Sequence, residues 1–72
     1  MKKDKETIGA KIKFWRKKKN LTQDELSKRA DIPYTTLAKI ESDVIQNPTL
    51  VTISKIAEGL EISLDELVHP VK

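Results

Sequence analysis

Seventy-two residues, 38% apolar and 35% charged, suffice for one small domain and exclude a large multi-substrate catalytic cleft. The absence of cysteine excludes disulfides and thiolate metal sites, so helix packing or self-association must supply the stability, and it fits a reducing, cytoplasmic setting. The net charge of +3 divides unevenly, with nine Lys/Arg against two Asp/Glu in residues 1–20 and five against nine in residues 21–72, an asymmetry that suits a polyanionic partner or, more plainly, a solvated basic face.

Residues 1–6, with Lys2, Lys3 and Lys5, read as a flexible basic N-terminal arm. Ile8, Ile12 and Trp15 recur at i, i+4 and i+7, which predicts a first helix over about residues 5–19. Asp4 and Glu6 near its start and Lys17–Lys19 at its end follow the order that the helix dipole favours, and Asn20 marks a stop. Thr22-Gln23-Asp24-Glu25 is a capping box, in which Thr22 and Glu25 satisfy two orphan amides of a second helix over about 23–30, with Leu26 and Ala30 facing inward. Asp31-Ile32-Pro33 interrupts the pattern; a third helix begins there and runs to about Ser42, with Leu37 and Ile40 as its apolar positions. Residues 43–48 lack periodicity and end in Asn47-Pro48, a loop. Thr49 caps a fourth helix over about 50–60 whose apolar positions are Leu50, Ile53, Ile56, Ala57 and Leu60. Ser63-Leu64-Asp65-Glu66 is a second capping box opening a short fifth helix before His69-Pro70, and residues 69–72 form a short tail. With no strand alternation and no internal repeat, the expected fold is all-α, a compact five-helix domain.

Helices two and three, joined by a turn of three to four residues, have the layout of a helix-turn-helix, which lays its second helix in a DNA major groove. The run Leu21-Thr22-Gln23-Asp24-Glu25-Leu26-Ser27 resembles the opening L-[ST]-Q-x-[EQ]-L-[AS] of the Cro/phage-repressor (Xre-type) family. Ile32-Pro33-Tyr34-Thr35-Thr36-Leu37-Ala38-Lys39-Ile40-Glu41 resembles that family's recognition helix. Pro48-Thr49-Leu50, Ile53 to Leu60, and Ser63-Leu64-Asp65-Glu66-Leu67 resemble its last two helices, so the likeness covers roughly residues 8–68. The resemblance implies a DNA-binding domain over residues 7–68 that reads duplex DNA, usually as a dimer on a two-fold symmetric site. Base edges would be met by Tyr34, Thr35, Ala38 and Lys39, in the recognition helix at about 33–42. Thr35 can donate, accept or present its methyl, Ala38 offers a methyl, and Lys39 can donate to guanine.

Phosphates would be met by Gln23, which in the family also braces the recognition helix, by Thr22 beside it, and by Ser42 and Asn47 in the following loop. Lys18 and Lys19 precede the start of helix two and face the same backbone, although a solvated helix end would carry the same charges. In the family an arginine on helix one pairs with the glutamate closing the recognition helix. Arg16 lies about 40° from Ile12, on the core side, so it can reach Glu41 and fix the angle of helix three. Two positions depart from the family pattern. Pro33 stands where a serine or threonine usually caps helix three, and Asp43 replaces a glycine, bringing a carboxylate that repels phosphate and tolerates a left-handed backbone less well.

Phe14 lies about 200° around the helix from Ile12 and is expected to be exposed. Ile62, Leu64, Val68 and Val71 are better placed for a homodimer contact through helix five and the tail. One histidine, His69, cannot make a multi-histidine metal site, Asp65 and Glu66 are explained by capping, and Gly9 and Gly59 form no phosphate loop: Gly9 permits close packing in helix one, and Gly59 sits near a helix end. No enzymatic activity, metal, cofactor or small-molecule ligand is therefore expected. No apolar run approaches the roughly 18 residues of a membrane span, no signal-like stretch opens the chain, and three aromatics are too few for a single-strand stacking platform. The competing function is a protein-interaction module of the same fold, an antitoxin or adaptor with weak DNA binding.

Overall fold

The computed structural model describes residues 7–69; the basic arm at 1–6, Val71 and the rest of the tail from residue 70 lie outside the described residues. Among the described residues five helices follow one another: α1 Ile8–Lys18, α2 Gln23–Ala30, α3 Tyr34–Glu41, α4 Leu50–Leu60 and α5 Leu64–Val68. Four start on a hydroxyl that accepts from a first-turn amide: Thr7 from Ala10, Thr22 from Glu25, Thr49 from Thr52 and Ser63 from Glu66. At α2 and α5 the box closes, because Glu25 and Glu66 accept the Thr22 and Ser63 amides in return. α3 starts on Pro33, whose φ of −63° suits a helix entry, without a side-chain cap.

The helix ends use a device that glycine usually serves. Asn20, Asp31, Asp43 and Glu61 all adopt left-handed backbone, with φ of 62°, 59°, 69° and 61°. In each case the next amide reaches back five residues: Leu21 to Arg16, Ile32 to Ser27, Val44 to Lys39 and Ile62 to Ala57. This is the Schellman closure, which satisfies a last-turn carbonyl and turns the following apolar residue back toward the helix. Leu21, Ile32 and Ile62 pack against the core in this way, whereas Val44 stays exposed.

The core consists of Ile12, Leu26, Ala30, Leu37, Ile40, Ile56, Ala57, Leu60 and Leu67. Ile8 and Trp15 complete the α1 stripe as half-buried neighbours. Leu50, expected on the apolar side of α4, is 68% exposed instead. Burial rises along α4 from Leu50 through half-buried Ile53 to Ile56 and Leu60, so the helix enters the core with its C-terminal half and its first turn overhangs. Both glycines mark close approaches. A Cβ at Gly9 would lie 2.1 Å from the Ile40 carbonyl oxygen, which lets α1 pack against the end of α3. Gly59, expected only to sit near a helix end, also places α4 on α2, with a Cβ there 3.0 Å from the Ala30 amide nitrogen.

Candidate nucleic-acid interface

α2 and α3 are joined at Asp31-Ile32-Pro33, and the hydrogen bond from the Ile32 amide to the Ser27 carbonyl holds the turn. α3 buries Leu37, Ile40 and Glu41 and turns Tyr34, Thr35 and Lys39 to solvent, with Ala38 half-buried between them. These four residues form one outward strip, and Tyr34 at its head is 49% exposed.

The buried end of α3 is tied to the rest of the molecule by a carboxylate. Glu41, its side chain 1% exposed, accepts from Arg16 Nε at 2.8 Å through Oε2. Its Oε1 accepts from Arg16 Nη2 at 3.1 Å and from Gln23 Nε2 at 3.0 Å. The third Arg16 nitrogen, Nη1, donates to the Leu21 carbonyl at 2.8 Å. One guanidinium and one carboxylate thus join the end of α1, the α1–α2 turn, the head of α2 and the foot of α3. A buried carboxylate with three charge-assisted or amide donors is compensated, and the two-pronged Arg–Glu geometry resists rotation. The mutual orientation of α2 and α3 follows from this cluster. The Arg16–Leu21 bond was not legible in the sequence, because it needs the left-handed Asn20 to bring the Leu21 carbonyl round.

Most of the residues expected on phosphates are exposed. Lys18 and Lys19 are exposed at the end of α1, and Thr22 is exposed at the head of α2. The Thr22 hydroxyl accepts from the Glu25 amide and also helps to hold the Glu25 carboxylate, so its proton would have to turn outward to meet a phosphate. Half-buried Gln23 spends one amide proton on Glu41 and retains the other. Ser42 is exposed, but its hydroxyl donates to the Lys39 carbonyl at 3.2 Å and would have to turn to meet a phosphate. Asn47 is exposed on the α3–α4 loop. Asp43, expected to repel phosphate, has its Oδ1 buried without a hydrogen-bond partner, 2.8 Å from where a Gly9 Cβ would stand. That oxygen is turned into the α1 contact rather than out from the loop. The Thr22 backbone amide, then the Thr22 hydroxyl, hold the Glu25 carboxyl below the ordinary carboxylate value.

On the far side, Ile62 and Leu64 are half-buried and Val68 is exposed. Ile62 packs on the core of its own chain, so Leu64 and Val68 offer more free surface. Lys11 Nζ donates to the Val68 carbonyl at 2.7 Å, a pinning of α5 to α1 across 57 residues of sequence that no local pattern signalled. Among the described residues no group of three or more His, Cys, Asp or Glu could hold a metal ion, and no helix is long and apolar enough to cross a membrane.

Comparison with known proteins gives the same architecture a wider setting. A helix-turn-helix family model matches residues 12–67. The immunity repressor protein of Bacillus phage phi105 is 39% identical over 62 residues, which are 86% of this chain and 42% of the repressor. The crystal structure of SinR, a master regulator for biofilm formation, in complex with DNA superposes with a TM-score of 0.82 at 30% identity, covering 88% of this chain and 100% of that one. SinR in its complex with SinI superposes with a TM-score of 0.80 at 31% identity, covering 86% of this chain and 60% of that one. The chain spans about half the length of the curated relatives it matches.

Proposed function

The chain belongs to the helix-turn-helix family of the Cro/phage-repressor (Xre) type, and from that premise we propose that it is a sequence-specific, duplex-DNA-binding transcriptional regulator that acts in the cytoplasm. The observation that carries the reading is the outward strip of α3, held in orientation by the Arg16–Glu41–Gln23 cluster, on a fold that matches a DNA-bound regulator. In this reading Lys18, Lys19, Thr22 and Gln23 anchor one stretch of phosphates, and Ser42 and Asn47 another. Tyr34, Thr35, Ala38 and Lys39 then read base edges in the major groove. The chain acts as a homodimer through Leu64, Val68 and Ile62, with Val71 beyond the described residues, on a symmetric operator whose half-sites lie about one helical turn apart.

Selection from a random duplex library tests this, followed by binding of the winner and of scrambled DNA across a salt series. The expected result is a symmetric motif bound about 10³-fold or more over scrambled DNA, with affinity falling steeply as salt rises. Lys39→Ala should relax preference at one base pair per half-site, at about 1–3 kcal/mol, and leave the other positions unchanged. Equal, weak binding to all duplexes would instead favour a protein-interaction module. The observation behind that second reading is that SinR, alike in fold, also occurs in a complex with SinI.

A further inference from the structure

Phe14 has no place in the core and no role among the DNA-facing residues, yet it does not stand alone. It is 39% exposed and meets half-buried Trp15 edge to face, with ring centroids 5.7 Å apart and an interplanar angle of 86°. Over this pair lies the Lys18 ammonium, 5.8 Å from the Phe14 centroid and 5.9 Å from that of Trp15. Both distances fall within the roughly 6 Å range in which a ring face attracts a cation. The spacing is helical: Lys18 is i+4 from Phe14 and i+3 from Trp15, so one turn of α1 brings all three together.

We propose that Phe14, with Trp15, holds the Lys18 ammonium in place for a backbone phosphate, which makes Phe14 a positioning residue of the DNA interface. The inference rests on the reading above that Lys18 is a phosphate contact. The physical argument concerns entropy and charge together. A lysine on a solvated helix end samples many rotamers and must surrender them when it pairs with a phosphate. Two rings that collect the ammonium beforehand remove part of that loss. A carboxylate would order the side chain too, but it would also neutralise it. A ring quadrupole attracts the cation while leaving its full charge for the anion on the open side. Trp15 is anchored against the core and supplies the fixed wall; Phe14 closes the outer side.

The test uses the full chain and the duplex recovered by selection. Affinity is measured across a salt series for the wild type, F14L, F14Y, K18A and the double variant F14L/K18A, with thermal melts to show that each is folded. K18A should lower affinity and reduce the slope of log affinity against log salt by about 0.9 per bound protomer. F14L keeps apolar bulk but loses the ring face, and should lower affinity about twofold to fivefold with the slope unchanged. That loss should vanish in the K18A background, and F14Y, which restores a ring face, should recover wild-type affinity. If the wild type binds no duplex, or if K18A changes neither affinity nor slope, the phosphate assignment of Lys18 fails and the positioning role falls with it. If K18A behaves as expected but F14L costs the same factor in both backgrounds, the assignment of Lys18 stands and the role of Phe14 is overturned. A lower melting temperature for F14L with unchanged affinity would likewise reduce Phe14 to a cover for Trp15.

Discussion

Glu41 shows how much one buried charge asks of its neighbours. Its side chain is 1% exposed, and it is tolerated there because Arg16 presents two donors and Gln23 a third. Removing one partner leaves a desolvated charge behind, so Arg16→Met or Glu41→Gln should each cost about 3–5 kcal/mol of unfolding free energy. Because either change already abolishes the pair, the double variant should lose far less than the sum. Chemical denaturation across the double-mutant cycle checks this, and losses that add to within about 0.5 kcal/mol would show that the two residues act independently. The family resemblance implied this pair, and the position of Arg16 on the core side of α1 allowed it. Gln23 as a direct ligand of Glu41 was visible only as an implied brace of the recognition helix. Lys11 was not visible at all, because its partner is the Val68 carbonyl, and a backbone carbonyl carries no signature in sequence.

Individual helices owe their limits to residues within one turn of each end. The Thr22–Glu25 box opens α2, and the carboxylate in it is held below its ordinary pKa by the Thr22 amide. A carboxyl with a lowered folded value contributes stability that is fully present above its unfolded value of 4.5 and is lost as pH falls through the folded value. Stability should therefore decline on acidification below that point, and Glu25→Gln should flatten this part of the profile in melts run from pH 7 to pH 3. A profile unchanged by the substitution would mean that other carboxyls carry the acid response. The capping boxes were legible because S/T-x-x-E is a local pattern. The four helix ends were legible only in part: Asn20 and Asp31 interrupt their helices, but the left-handed Glu61 offers no signal of its own. Gly9 makes the opposite point, since its packing role was expected but not its tightness. Alanine there would gain about 0.5–1 kcal/mol of helix propensity. Its Cβ would meet the Ile40 carbonyl oxygen at 2.1 Å, a backbone atom that cannot swing aside. The clash outweighs the propensity, and Gly9→Ala should lower stability by about 1–3 kcal/mol, the cost of overpacking. Calorimetry decides, and a rise in melting temperature would show that α1 can lift off α3 freely.

For the molecule as a whole, the basic α1 meets acidic groups of other elements: Glu41 pairs with Arg16, and Asp43 Oδ1 lies against Gly9. α1 itself contains Lys11, Lys13, Arg16, Lys17 and Lys18 and no acidic residue. If the proposed dimer forms through α5, the two recognition helices are presented together and half-site affinities multiply. Sedimentation should then show a dimer at high micromolar concentration, and Val68→Asp should dissociate it while leaving the melting profile of the monomer nearly unchanged. A wild-type chain that stays monomeric both alone and on its operator would remove the dimer from the account. The first turn of α4, where Leu50 and Val51 are 68% and 65% exposed, shows that apolar positions at a helix start can stand clear of the core.

What the amino-acid sequence determined by itself is what depends on neighbours within about one helical turn: five helices, the opening caps of α2, α4 and α5, and the inward stripes of α1, α2 and α3; the outward strip of α3 was what the family resemblance implied. Periodicity and capping are short-range effects, and they survive whatever the rest of the chain does. Tertiary structure alone decided how the helices meet. It set the approach of Gly59 to Ala30, the emergence of Leu50 into solvent and the pinning of α5 by Lys11. These depend on angles and distances between helices, which arise only when several apolar faces share one small core.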